Sequence, residues 1–174
     1  MSSQQNAPAQ IPPWLRGPVE GVPRELQAIA QALVQTQEEV EEFTAGLDDE
    51  LLWVRPAGLG HAAFHLRHIA GVIDRLFTTA RGEPISSEQR AAAVREKSER
   101  DDATTAELVE LVRSQVARAI DQLRGTDVNE LFEPRLVGGK QLPSDVYGLL
   151  FHAAEHAQRH CGQLLVTVRV AHRA

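Results

Sequence analysis

Apolar side chains recur every three or four positions along most of this chain, which is the pattern of amphipathic α-helices. The recurrence predicts four long helices, at residues 24–46, 60–81, 104–125 and 145–170. No stretch carries a strong strand pattern. Four amphipathic helices must bury their apolar stripes against one another, so the pattern predicts an all-α fold, a four-helix bundle.

The polar segments between the helices carry start and stop signals. Residues 83–103 are polar and charged, and their length lets the chain cross from one end of a bundle to the other between helices 2 and 3. Within this link, the run Ser86–Gln89 could cap a short helix that ends near Arg95, and Thr104–Glu107 has the form of a capping box. Residues 137–140 predict a turn or a small hairpin, and Ser144 is the expected N-cap of the fourth helix.

The N-terminal segment differs in composition from the rest of the chain. Residues 1–23 are rich in Pro, Gln and Ser and predict a flexible or extended arm, of which residues 1–10 should be disordered. Trp14 is the residue expected to pin this arm to the body. Residues 24–174 are then predicted to form the helical bundle.

Charge and composition exclude several classes of function. A net charge of −6 and few aromatic residues argue against a nucleic-acid binder. No apolar run has the length of a membrane span, and the N-terminus lacks the apolar core of a signal peptide. The single cysteine, Cys161, excludes an internal disulfide framework. We therefore expect a cytoplasmic protein that has neither nucleic acid nor membrane as its partner.

Histidines supply the candidate chemistry, because six of the seven fall into two clusters with helical spacing: His61, His65 and His68; and His152, His156 and His160. Residues four apart stack on one face of a helix, where two imidazoles can bind one metal ion. On a helical wheel His160 lies inside the apolar arc, His156 at its edge, and His152 about 80° away from His160. The inward pair His156 and His160 is thus the predicted core of a metal site, although a hydrogen-bonded core histidine is the ordinary alternative.

A pair of histidines needs a third ligand, normally from another element, and the second helix offers it. Its apolar stripe favours His65, about 45° from the stripe centre, over His68 at about 105°. The periodicity alone therefore selects His65, or both residues together.

Two motifs in these helices resemble a known family. The run Phe64-His-Leu-Arg-His-Ile-Ala-Gly71 and the downstream run Glu155-His-Ala-Gln-Arg-His-Cys-Gly-Gln163 are similar to those of the DinB/YfiT-like superfamily of metal-binding four-helix bundles. The resemblance spans about residues 24–170 and implies a crossover between helices 2 and 3. Many members have a Trp about eight residues before the first ligand, whereas Gly60 stands here.

The resemblance also implies a ligand set. It assigns the metal to His68, His156 and His160, with His65 as the reserve ligand on the second helix. This conflicts with the choice made by the apolar stripe, and the sequence alone leaves both candidates open.

Three neutral imidazoles suit a divalent ion such as zinc or nickel and leave coordination positions open. The resemblance implies a metal-dependent enzyme acting on a small molecule, either a thiol S-transferase using a low-molecular-weight thiol cosubstrate or a hydrolase, and a homodimer. The alternatives are a non-catalytic metal-binding stress-response or interaction protein, and a metal sensor or store.

Residues near the predicted ligands have less specific roles. The positions predicted to assist the ligands or to contact substrate are His65, His152, Glu155 and Gln163. An ordinary surface glutamate is the alternative for Glu155, and a small buried residue is the expected role of Cys161.

Overall fold

A computed structural model of the chain describes residues 11–98 and 100–173. In this part of the chain the α-helices are α1 Gln27–Phe43, α2 Ala62–Ala80, α3 Ser87–Arg95, α4 Thr105–Arg124 and α5 Val146–Ala171. A two-stranded antiparallel hairpin, β1 Pro134–Val137 and β2 Leu142–Asp145, precedes α5. The prediction of a mainly helical fold is confirmed. The disorder predicted for residues 1–10 concerns residues that lie outside the described part of the chain.

The four long helices share one apolar core. Helix α2 packs against α5 and α4, α1 packs against the same two helices, and the short α3 lies against α2. The largest apolar side chains that are completely buried come from all four helices and from the 3-10 turns Arg24–Leu26 and Leu51–Trp53: Leu26, Ile29, Leu33, Leu52, Leu66, Ile69, Ile73, Phe77, Leu123, Leu150 and Leu164. This packing sets the inner faces of α2 and α5 side by side, which is where the two histidine clusters lie.

The helix ends follow local chemistry, with small differences from the predicted limits. Both predicted capping boxes form, with Ser86 and Gln89 at α3 and with Thr104 and Glu107 at α4. Helix α1 is shorter than predicted at both ends, because Arg24–Leu26 forms a separate 3-10 turn and the helix stops at Phe43.

The N-cap of α5 is Asp145 rather than the predicted Ser144. Asp145 Oδ1 accepts a hydrogen bond of 2.6 Å from the Gly148 amide. Ser144 is instead paired with Arg135 in the hairpin. The turn predicted at residues 137–140 belongs to this hairpin. Because Ser144 is part of the hairpin, the N-cap of α5 falls one residue later than predicted.

The segment that precedes α1 is attached to it by contacts other than the expected one. Trp14 is 62% exposed, so the prediction that it anchors the arm is wrong. Pro13 is buried instead, and the Gln27 side-chain amide bonds to the Val19 and Val22 carbonyl oxygens. Hydrogen bonds from Gln27 and burial of Pro13, rather than packing of Trp14, thus attach this segment to α1.

Candidate metal centre

Three histidines from two helices meet where α2 packs against α5. His68 on α2 lies opposite His156 and His160 on α5, and one ring nitrogen of each lies within 4.8 Å of the other two. The His68 Nε2 and His156 Nε2 atoms are 3.0 Å apart. All three side chains are half-buried. The structure therefore brings together the three residues that the family resemblance had selected.

His65 lies beside this group and does not belong to it. Its Nδ1 is 3.1 Å from Nδ1 of His160, and its side chain is almost completely buried. The apolar stripe of α2 correctly marked His65 as the more buried residue. Burial and proximity to α5 are different properties, however, and His68 at the edge of the stripe is the one that faces His156.

His61 has a structural role that the sequence did not reveal. It is the N-cap of α2, and its Nδ1 accepts a hydrogen bond of 2.8 Å from the Phe64 amide. Its Nε2 lies 2.8 Å from the Ser98 carbonyl oxygen, to which it donates. Both ring nitrogens are satisfied, so His61 is turned away from the group on α5.

A buried carboxylate, which the sequence analysis missed, contacts the group. Glu96, just after α3, is 4% exposed, and its Oε2 lies 2.7 Å from His68 Nδ1. Its Oε1 accepts a hydrogen bond of 2.5 Å from Arg75 Nη1. Burial tends to raise the pKa of Glu96, but the hydrogen bonds from His68 and Arg75 outweigh it and lower the pKa. Glu96 is therefore an anion beside the cluster.

Only one sequence signal pointed to this arrangement. Gly71 stands in the middle of α2, where glycine costs a helix about 1 kcal/mol relative to alanine. Such a glycine indicates that another group approaches closely. In the structure a Cβ on Gly71 would collide with Glu96 Oε1 and lie 2.7 Å from Arg75 Nη1.

Electrostatics favours the neutral imidazoles that metal binding requires. Burial, followed by the nearby charge of His68, lowers the pKa of His156. The same two causes, in the same order, lower the pKa of His160 and of His65 to about 4. These rings are therefore unprotonated near neutral pH and can donate lone pairs.

The remaining predicted α5 residues lie farther out. His152 is exposed, as the helical wheel predicted, and its Nδ1 is 3.5 Å from Glu155 Oε2. Glu155 also forms an ion pair with Arg159. His152, Glu155 and His156 make a second group of potential ligand atoms within 4.8 Å of one another, but it is more open to solvent.

Cys161 follows His160 in sequence but faces α1. It is completely buried, and burial raises the pKa of its thiol. Its Sγ lies 3.9 Å from the Thr36 carbonyl oxygen. Cys161 is therefore a small core residue, as expected, and is remote from the open side of the histidine group.

A cleft opens next to His65 and His160. It has a volume of about 630 Å³ and is lined by Phe64, Leu59 and Val166 together with Gln163 and Arg159. Gln163 is exposed, so its amide is accessible from the cleft. The cleft gives a small molecule a route to the imidazole of His160.

The donor set fits a divalent ion. Three imidazoles on a tetrahedral zinc ion, at about 2.0–2.1 Å each, place their nitrogens roughly 3.3 Å apart. The separations in the group, 3.0 Å for one pair and at most 4.8 Å overall, bracket that value. His156 Nδ1 is buried and has no hydrogen-bond partner among the described residues. Coordination through Nε2, the nitrogen that faces His68, would not supply a partner for this atom.

Comparison with known proteins identifies the family. The sequence profile of the DinB superfamily matches residues 32–164, most of the chain, and this protein belongs to that superfamily. A crystal structure of a conserved protein from Enterococcus faecalis superposes with a TM-score of 0.66 at 19% identity, covering 86% of this chain and 98% of that one. At this identity the similarity concerns the fold alone. The comparison with curated proteins found no significant match.

Proposed function

We propose that this protein is a metal-dependent enzyme that holds one divalent ion, zinc or nickel, between His68, His156 and His160. It transfers a low-molecular-weight thiol to a small electrophilic molecule, or hydrolyses such a molecule. When bound, the ion would supply Lewis-acid chemistry, polarising a substrate oxygen or lowering the pKa of a thiol cosubstrate. The observation that carries the proposal is the meeting of three half-buried imidazoles from α2 and α5 beside an open cleft.

The cleft supports a role in binding an apolar substrate body. Phe64, Leu59 and Val166 offer apolar surface, and the Gln163 amide offers hydrogen bonds. His160 is shared between the histidine group and the cleft wall, so a molecule in the cleft would lie next to the proposed ion. This arrangement matches the usual form of a small-molecule site, a mostly apolar cleft with few polar groups.

A thiol nucleophile would have to come from outside the chain. The only cysteine is Cys161, whose burial and raised pKa both disfavour the thiolate. This supports a low-molecular-weight thiol as cosubstrate if the reaction is a thiol transfer.

One observation disfavours hydrolysis relative to thiol transfer and to the alternative, a non-catalytic metal-binding protein. The two carboxylates next to the histidine group, Glu96 and Glu155, both form ion pairs, with Arg75 and Arg159. Neither is a free general base. A hydrolase would then lack a protein base at the group, whereas a thiol transferase would need none if the ion lowers the thiol pKa.

The test begins with elemental analysis of the purified protein, followed by turnover of an aryl halide with a panel of low-molecular-weight thiols. The proposal predicts one divalent ion per chain and thiol-dependent turnover that His156→Ala abolishes and that the exposed control His172→Ala retains. Stoichiometric metal without turnover of thiol or ester substrates would favour the non-catalytic alternative. A chain that binds no divalent ion would contradict both.

Several finer features belong to the same proposal. We propose that the four long helices form a DinB-type four-helix bundle in which residues 83–103 act as the crossover, and that residues 1–23 are an arm separate from it. The contacts of α1 and α2 with both α4 and α5 support the bundle. Among the described residues, no helix combines the length and apolarity needed to cross a membrane. A homodimer and a cytoplasmic location stay predictions.

A further inference from the structure

The carboxylate of Glu96 determines which nitrogen of His68 carries hydrogen. An ionised carboxylate can only accept hydrogen bonds, so His68 Nδ1, 2.7 Å from Glu96 Oε2, has to be the donor. In the neutral ring the lone pair is then on Nε2. That atom is the one that lies 3.0 Å from His156 Nε2 and faces the histidine group.

The segment that carries Glu96 is fixed against α2 on both sides of this residue. Before it, Gln89 Nε2 donates to Asp74 Oδ2 at 2.9 Å. After it, Arg67 Nη2 donates to both carboxylate oxygens of Asp101 at 2.8 and 2.7 Å. These contacts fix the backbone, so the carboxylate is held against His68 without depending on that bond alone.

Gly71 and Arg75 complete the pocket around the carboxylate. Arg75 Nη1 donates to Glu96 Oε1, which leaves Oε2 directed at His68. The missing side chain of Gly71 provides the space, because a Cβ there would overlap Glu96 Oε1. A glutamine could not replace the carboxylate, because Arg75 and His68 bond to different oxygens of Glu96 and an amide has an NH₂ group in place of one of them.

We propose that Glu96 is a positioning residue of the metal centre, which fixes His68 in the Nδ1–H form and aims its Nε2 lone pair at the ion. The inference rests on the proposed metal site and extends it to the segment between α3 and α4. Carboxylates that hold a ligating histidine in this way change metal affinity 10–100-fold when they are replaced. The same loss is expected here.

Two variants and one control test the role of Glu96. In Glu96→Gln the charged Arg75 should take the amide oxygen, which turns the NH₂ group toward His68 Nδ1 and favours hydrogen on Nε2. Gly71→Ala keeps the carboxylate and its charge but displaces it, and alanine favours the helix. Glu88→Gln neutralises an exposed carboxylate on α3 and serves as the control.

Two measurements are made on each protein: zinc and nickel affinity by competition with a chelator, and the His68 tautomer by ¹H–¹⁵N NMR of the metal-free protein. We expect a 10–100-fold loss of affinity in Glu96→Gln, a loss in the same direction in Gly71→Ala, and no change in Glu88→Gln. We also expect the Nδ1–H form of His68 in the unaltered protein and more Nε2–H form in Glu96→Gln.

Unchanged affinity in both Glu96→Gln and Gly71→Ala would overturn the inference, as would an Nε2–H form of His68 in the unaltered protein. The NMR measurement needs no metal, so it separates this inference from the proposed function. If the unaltered protein binds no ion, the metal proposal fails whatever tautomer His68 adopts.

Discussion

Acid should destabilise the metal-free protein, and the buried imidazole of His65 should account for a measurable part of the loss. Its side chain is 6% exposed, and burial, followed by the charges of His68 and His61, lowers its pKa from 6.5 to about 4. The unfolded chain therefore binds a proton in a pH range where the folded chain does not. This contribution to stability is complete above pH 6.5 and is lost as the pH falls toward 4.

The size of the effect follows from the two pKa values. A fall from 6.5 to about 4 corresponds to about 3 kcal/mol at about 1.4 kcal/mol per pH unit. Most of this, about 2 kcal/mol, should already be lost at pH 4.5. Below pH 4 the folded and the unfolded protein both bind this proton, so His65 no longer makes the free energy of unfolding depend on pH.

Urea unfolding of chelator-treated protein at pH 7 and at pH 4.5 measures the effect. His65→Leu fills the buried position with a side chain that cannot bind a proton. This variant should lose about 2 kcal/mol less stability between the two pH values than the unaltered protein. His172→Leu, at an exposed position, is the control and should behave like the unaltered protein. An identical loss in all three proteins would refute the reasoning, because the acid sensitivity would then come from other groups.

Three further predictions concern the same helices and the assembly. Replacing His156 or His160 by Ala should remove bound metal and lower the unfolding temperature, whereas His152→Ala should keep the metal, because His152 is exposed; equal metal loss in all three would contradict this. Cys161 should react with a thiol reagent only after denaturation, because it is buried; rapid reaction of the folded protein would argue for an open path to it. Sedimentation should give the mass of a homodimer, and the mass of a single chain would contradict that prediction.

The helices were predictable because their signals are local. Apolar periodicity and the capping boxes at Ser86 and Thr104 depend on residues within one or two turns of each other, and the structure reproduces both boxes. Asp145 was missed because the hairpin register, which is set by pairing across β1 and β2, occupies Ser144. Helix ends next to such pairings depend on contacts that a one-dimensional pattern does not contain.

The histidine group was only partly predictable for the same reason. The wheel correctly separated the exposed His152 from the half-buried His156 and His160, because that difference depends on one helix. The choice between His65 and His68 depends on where α5 crosses α2, and the stripe of α2 alone selected the wrong one as the neighbour of His156. The resemblance selected His68 because it carries information about packing that periodicity lacks.

Neither the apolar periodicity nor the family resemblance predicted a role for Glu96. It follows a short helix in a charged link, where a glutamate is normally exposed. Its burial results from the way the link folds back on α2, through Arg75 and the space left by Gly71. Gly71 in mid-helix marked a close approach, but not by which residue.

The central claim is that one divalent ion is bound by His68, His156 and His160. The direct measurement is a crystal structure of the metal-loaded protein, with anomalous diffraction data collected at the absorption edge of the metal found by elemental analysis. The account predicts a single strong anomalous peak about 2.0–2.1 Å from one nitrogen of each of these three residues, with His65 outside bonding distance. A peak coordinated by His65 in place of His68, or no peak among the three imidazoles in protein that retains its metal, would contradict it.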